Sequence, residues 1–314
     1  IYDETIYCYH EIVHNDWIVE KFKENNVKFI NNTDELPDNS IVMLSAHGTA
    51  PNIEKEFKSI SLTNVNSVCP LVTKVHHEAK RFSDKNHEII YVGHKNHDEA
   101  VGAMGVAPQS MNLIENLDDI EKIELNSDKV ALLAQTTLAI SDWEPIMLKA
   151  KEKYPNLKMP KKNDLCYATT NRQEAIINIS EKVDIVIVIG SSTSSNTNAL
   201  VTSLQNIGKE AYRIETTADI KNIDLKNKNV AITAGASAPD HMVQNIVDYI
   251  KPKNIELYID TDETEYFPLP VELRTNIKNL TNFLSSMFPE NKIKSKNGIK
   301  NDKCWSATKA LTSL

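Results

Sequence analysis

The sequence contains no CxxC pair. Its four cysteines, Cys8, Cys69, Cys166 and Cys304, are scattered over 314 residues. In a chain of this size with no recognisable secretory leader, that scatter excludes a disulfide framework. Long apolar runs are also missing. The strongest, such as DIVIVIG at 184–190, is far too short to span a bilayer. Positive charge is not in excess: 35 Lys and Arg face 43 Asp and Glu, for a net charge of −8. That balance argues against nucleic acid or an anionic membrane as the main partner. Only four basic residues are arginines, at 81, 172, 213 and 274, which reads as a compositional bias and not a mechanism. Neither a Walker lysine loop nor a GxGxxG turn occurs, so a nucleotide is not the expected ligand. What remains is an ordinary globular composition, 41% hydrophobic and 25% charged, long enough for two or three domains.

What is present is a repeat. Short apolar segments alternate with helical patterns, which predicts parallel α/β architecture. Three segments end alike, IVMLSAHGTAP (41–51), VALLAQTTLA (130–139) and VAITAGASAP (230–239), each running into a small polar loop with His47, Thr136 or Ser237. A second set, HEIVHN (10–15), YVGHKNH (91–97) and VIGSSTSSN (188–196), ends at His14, His97 and Ser194 to Asn196. Two cysteines open helical patterns, CPLVTKVHHEAKRF and CYATTNRQEAI, and the offsets agree: Cys69 to His97 and Cys166 to Ser194 are both 28 positions. Cys69 to Thr136 is 67 positions and Cys166 to Ser237 is 71. One module used three times, at a period of roughly 90 to 100 residues, accounts for this. The predicted division is a first lobe over 1–68, a second over 69–165, a third over 166–252, and a C-terminal segment over 253–314 whose end is expected to be less ordered. The same offsets place the first lobe's own cysteine about 14 to 24 positions ahead of Ile1, so the first lobe is expected to lack its start.

In parallel α/β units, ligand groups gather at the carboxyl ends of the strands. Three inward-facing modules would bring the cysteines and the polar loops to one centre. Thiolates contributed from several lobes suit an iron–sulfur cluster or zinc more than a hard cation, and a helix N-terminus favours the thiolate. His14, His47, His97, Ser194, Ser195, Asn196 and Ser237 form a set of donors, several able to be cationic. SSTSSN after a strand has the composition of a phosphate cradle. A small phosphate or diphosphate ester is the expected ligand, and Glu99, two residues after His97, is the nearby proton source. Taken singly, each feature has a plainer account. A Ser/Thr run after a strand is commonly a helix cap, a lone histidine is commonly a surface residue, and HKNHDE binds metal only in a minority of such spacings. Cys8 reads as structural and Cys304 as incidental; only the recurrence lifts the functional reading.

The strings HEIVHN, SAHG, CPLVTKVH, GHKNHDE, GAMG, QTTL, CYATTNRQEAI, SSTSSNTN and TAGASAP closely resemble the 4-hydroxy-3-methylbut-2-enyl diphosphate reductase family, in its bacterial-type branch, from about His10 to Arg274. The resemblance implies a pseudo-threefold cloverleaf of α/β lobes around a [4Fe–4S] cluster. It implies reductive dehydroxylation of an allylic diphosphate to isopentenyl and dimethylallyl diphosphates, the last step of the non-mevalonate isoprenoid route. Electrons would come singly from a ferredoxin or flavodoxin. Cys69 and Cys166 match cluster ligands. His14, His47, Ser194, Ser195, Asn196 and Ser237 match the diphosphate cradle with His97 beside it, Thr136 matches the residue near the substrate hydroxyl, and Glu99 the proton donor. The family's first cluster cysteine, in a GFCxGV-like stretch, has no counterpart in this sequence, so with two of the family's three thiolates this chain is expected to hold a cluster poorly or not at all. A cytoplasmic setting is expected, with a plastid left open. Two other readings stand beside the enzyme: a cluster-less, non-catalytic diphosphate-binding paralogue or inactive fragment, and a sugar-phosphate isomerase or binding module, which leaves the paired cysteine helices unexplained.

Overall fold

The computed structural model describes residues 4–161 and 163–261, and helical residues at 275, 278–280, 282, 283, 286 and 287. Ile1–Thr261 form one compact unit and Asp262–Leu314 a second. Cys304 and the polar tail around it lie outside the described residues. The first unit holds three all-parallel sheets. The first takes β1 (Ile6–Tyr9), β2 (Val27–Ile30), β3 (Ile41–Leu44) and β4 (Thr63–Asn66) in the order β2-β1-β3-β4. The second takes β5 (Glu88–Val92), β6 (Met111–Ile114) and β7 (Val130–Ala134) in the order β6-β5-β7. The third takes β8 (Ile185–Ile189), β9 (Ala211–Ile214) and β10 (Val230–Ala234) in the order β10-β8-β9. In each, the strand that comes first in the chain lies between the second and the third. That shared winding is the structural form of the repeat.

The residues explain the elements. β7 (VALLA) and β8 (IVIVI) are buried at every position, as expected of parallel strands covered on both faces. The two faces separate with period two. Ile90, Val92, Leu132 and Ala134 pack on one side of the second sheet, and Ile89, Tyr91, Ala131 and Leu133 on the other. Each fully buried Ile or Leu contributes roughly 1.5–3 kcal/mol. Helix α1 (Asp16–Glu24) is capped by Asn15, whose side chain accepts from the Ile18 N–H at 3.1 Å. Helix α2 (Pro51–Ile60) and helix α3 (Pro70–Ser83) both begin on proline, which needs no N–H partner there. Helix α3 buries Val72, Val75, Ala79 and Phe82, the last three packing as one apolar stripe against the second sheet. Helix α4 (Asp98–Met104) starts from His97 as its cap, α5 (Leu117–Lys122) from Asn116, and α6 (Ile140–Lys153) follows β7. Helix α7 (Tyr167–Ser180) follows Cys166, α8 (Ser195–Asn206) follows β8, and α9 (Asp240–Ile250) follows β10. No helix among the described residues is long and apolar enough to cross a membrane.

Candidate active site

Cys69 and Cys166 are the N-cap residues of α3 and α7, both half-buried and without a disulfide. Each is anchored to the loop that ends the third strand of the preceding sheet region. The Cys69 N–H donates to the Ala46 carbonyl at 3.0 Å, and the Cys166 N–H to the Thr136 carbonyl at 2.7 Å. The Cys69 backbone therefore adjoins the His47 loop and that of Cys166 adjoins Thr136, and a charge on Cys166 or Glu99 is near enough to disfavour ionisation of Cys69. Burial pushes the Cys69 thiol up despite the opposing Leu71 and Val72 N–H groups. The helix start alone thus does not secure the thiolate in the metal-free chain; binding a metal would have to supply the difference. Cys8 is different: it is fully buried in β1 and pushed up to about 12, an inert core thiol.

An ion pair holds the two cysteine segments together. Lys74 on α3 donates to the Asn163 carbonyl at 2.8 Å and to Asp164 Oδ1 at 3.0 Å, while Asp164 Oδ2 accepts from the Ala134 N–H at 3.2 Å. Asp164 is two residues from Cys166 and almost fully buried, with its carboxyl pushed by burial to about 6. The end of β7 and both cysteine helices are thereby fixed to one another.

Three histidines from two lobes meet next to them. The His14 and His47 rings stack at 4.3 Å, and His97 stands edge-on to both, at 5.4 and 5.8 Å. Glycines make this possible. A Cβ on Gly102 of α4 would lie 2.7 Å from the Gly48 carbonyl oxygen, and one on Gly105 would lie 2.4 Å from the Ala50 Cβ. GAMG is therefore the face on which α4 touches the His47 loop. His97 Nδ1 accepts from the Glu99 N–H at 3.2 Å, which leaves its Nε2 as the donor. The set of donors able to be cationic starts from neutral rings at His47 and His97. Burial, with repulsion from its neighbours, drives His47 down to about 3 and His97 to about 4, so both are neutral near pH 7. An arriving anion would reverse that balance and draw protons onto the rings.

Glu99 is only 2% exposed. Its Oε1 accepts from the Thr136 N–H at 2.7 Å, and its Oε2 accepts from the Thr136 hydroxyl at 3.0 Å. Burial outweighs both bonds and raises its carboxyl from 4.5 to about 7. Near neutrality a large share of the molecules hold a proton on this carboxyl, in contact with a hydroxyl. The folded chain also keeps a proton here that the unfolded chain releases above about pH 4.5. Glu99 thus weakens folding as pH rises from 4.5 to 7, while the lowered histidines strengthen it, His47 over pH 3 to 6.5 and His97 and the half-buried His76 over pH 4 to 6.5. Comparing variants isolates the carboxyl. The stability of Glu99→Gln relative to the unmodified chain is expected to improve by about 3 kcal/mol between pH 4 and pH 8, read from denaturant midpoints. A difference that does not move with pH would contradict the assignment.

The third lobe closes the ring. Ser194 caps α8, accepting from the Thr197 N–H at 3.3 Å. Ser195 Oγ meets Thr137 Oγ1 at 2.9 Å and Gln135 Nε2 at 3.1 Å, tying lobe three to lobe two. Ser237 Oγ donates to the His14 carbonyl at 3.4 Å, tying lobe three to lobe one. Asn196 is 5% exposed, yet both its amide atoms lack partners, as does buried His47 Nε2. Asn196 Nδ2, a donor in the first turn of α8, and His47 Nε2, when it carries the ring proton, fit an anionic ligand, whereas the Asn196 Oδ1 acceptor needs a donor.

The profile of the LytB protein family matches residues 1–251. The chain belongs to the LytB family. A 4-hydroxy-3-methylbut-2-enyl diphosphate reductase of Serratia proteamaculans is 39% identical over 289 residues, covering 89% of this chain and 91% of that one. The reductase of the same name from Buchnera aphidicola is 40% identical over 291 residues, with the same coverage. Among solved structures, the E-1-hydroxy-2-methyl-but-2-enyl-4-diphosphate reductase of Plasmodium falciparum superposes with a TM-score of 0.84 at 34% identity, covering 89% of this chain and 90% of its own.

Within this LytB chain, sequence reasoning passed over several residues that build the site. Gln135 is fully buried; its Oε1 accepts from the His94 N–H at 2.9 Å while its amide donates to Thr137 and Ser195. Gln173 on α7, also fully buried, accepts from the Ile140 N–H at 2.8 Å and from Ser203 at 3.1 Å. Lys74, Asp164, His10 and Asp98 were likewise not singled out. Gln135 carried one available signal: a lone amide directly after the apolar run VALLA, at the end of a buried strand.

Proposed function

We propose that the chain reductively removes the hydroxyl of 4-hydroxy-3-methylbut-2-enyl diphosphate, giving isopentenyl and dimethylallyl diphosphates and water. Two electrons, from a ferredoxin or flavodoxin, and two protons balance the reaction. The observation that carries this reading is the convergence of two thiols, a protonated buried carboxyl and a partnerless polar cradle where three lobes meet, in a chain whose relatives bear that reductase's name.

The lobes span 1–68, 69–165 and 166–252, with 253–314 following them. Cys69 and Cys166 are the cluster ligands this chain brings, and two neighbouring soft sulfurs fit such a centre. When bound, a [4Fe–4S] cluster supplies single electrons and Lewis acidity toward the hydroxyl oxygen. His14, His47, Ser194, Ser195, Asn196 and Ser237 hold the diphosphate, with His97 Nε2–H beside it. Binding the anion satisfies His47 Nε2–H and the Asn196 Nδ2 donor and makes the histidine bonds charge-assisted, about twice as strong as neutral bonds. Anchored there, the substrate lays its hydroxyl toward Thr136. Glu99 gives a proton through Oε2 to Thr136 Oγ1, which passes its own to the departing oxygen.

Anaerobic reconstitution with iron and sulfide, followed by a chemical reductant and 4-hydroxy-3-methylbut-2-enyl diphosphate, tests the reading by product chromatography. Both five-carbon diphosphates are expected. A cluster-loaded chain that binds this substrate and forms neither would overturn it.

A further inference from the structure

One ion pair at the histidine cluster has no part in the chemistry above. His10 Nδ1 lies 2.8 Å from Asp98 Oδ1, bridging the end of β1 to the first turn of α4. His10 adopts φ 58°, a left-handed conformation uncommon for a residue other than glycine. Its N–H is held by the Ile30 carbonyl at 2.9 Å, and its ring lies 4.0 Å from that of Tyr9. The ring also has the Asn31 backbone carbonyl as an acceptor. With the Asp98 carboxylate and the Asn31 carbonyl both accepting at its ring, His10 is built to be the cation of the pair.

Asp98 has a second set of partners within reach. One of its carboxylate oxygens, with one ring nitrogen each from His14 and His47, forms a group whose atoms all lie within 4.8 Å of one another. Those two histidines are donors of the proposed cradle. Without a cation of its own, the Asp98 carboxylate would turn to them and compete with the substrate. It would also set a bare negative charge beside the site meant for a diphosphate.

We propose that His10 is a positioning residue that holds Asp98 away from His14 and His47 and neutralises it, keeping the cradle free for the diphosphate. The inference rests on the reading of that cradle as the diphosphate site. It requires that His10 and Asp98 act against each other: losing His10 harms binding only while Asp98 is present.

Three variants test it: His10→Asn, Asp98→Asn and the double substitution. Asparagine is chosen at 10 because it tolerates the left-handed conformation. Two readouts are taken on the reconstituted chain, steady-state kinetics with 4-hydroxy-3-methylbut-2-enyl diphosphate and calorimetric binding of inorganic diphosphate. His10→Asn is expected to raise KM and weaken diphosphate binding about tenfold, with kcat within about twofold. Asp98→Asn is expected to bind diphosphate at least as tightly as the unmodified chain, and the double variant to return to within about threefold of it. A double variant as impaired as His10→Asn, or an Asp98→Asn that binds more weakly, would show a merely structural bridge and overturn the proposal. If His10→Asn fails to fold, Asp98→Asn alone decides by the direction of its change. Failure of the reductase reading looks different: the unmodified chain forms no product, whatever the pattern of diphosphate binding.

Discussion

Glu99→Gln is expected to lower turnover by about 10² or more while leaving substrate affinity within a few-fold. Glutamine keeps the shape and can still accept from the Thr136 N–H, so the loop after β7 stays in place. What is lost is the proton. In the unmodified chain the carboxyl, lifted to about 7 by burial, is protonated over roughly half of the molecules at neutral pH and touches the Thr136 hydroxyl at 3.0 Å. No other acidic group among the described residues makes that contact. Single-turnover measurements on cluster-loaded protein check this. Near-normal turnover in the variant would remove Glu99 from the chemistry, and an equal loss of affinity would make it a structural residue.

Gly102→Ala is the second large effect, and its sign runs against helix propensity. An exposed mid-helix glycine replaced by alanine ordinarily gains about 1 kcal/mol. At Gly102 the new Cβ would meet the Gly48 carbonyl oxygen at 2.7 Å, a backbone atom that cannot rotate away. Either α4 or the His47 loop must move. Overpacking of that kind costs roughly 1–3 kcal/mol, so a net loss of up to about 2 kcal/mol in denaturant stability is expected. The functional cost is larger than the stability cost. The shift separates His97 and Glu99 from His47, and kcat/KM should fall about 10² or more, since misplacement by an ångström already has that effect. A Gly102→Ala chain with raised stability and unaltered kinetics would show that α4 and the His47 loop are not in register as described.

The fold was legible because the repeat is written in strand ends. Three apolar runs that finish in His47, Thr136 and Ser237 become the third strands of three sheets with the same order, and Cys69 and Cys166 become caps of α3 and α7 at matching places. The gathering of His14, His47 and His97 could be anticipated from those offsets. Their charge could not. Neutral His47 and His97 follow from burial and mutual repulsion, which depend on depth and distance and leave no mark in the local sequence. The same holds for Lys74 with Asp164, His10 with Asp98, and Ser195 with Thr137. Each joins residues 58 to 90 positions apart whose types are common everywhere. GAMG was visible as a motif, but its role against Gly48 and Ala50 emerges only when α4 is laid on the loop.

We propose that Cys69 and Cys166 serve one shared metal centre. The most direct test is iron content and visible absorption after anaerobic reconstitution of the unmodified chain, Cys69→Ser, Cys166→Ser and the double variant. If one centre uses both sulfurs, each single substitution removes the whole iron–sulfur signal and the double variant removes no more. If each single variant loses only half of the signal and the double loses all of it, the two sulfurs serve separate centres and the account is wrong.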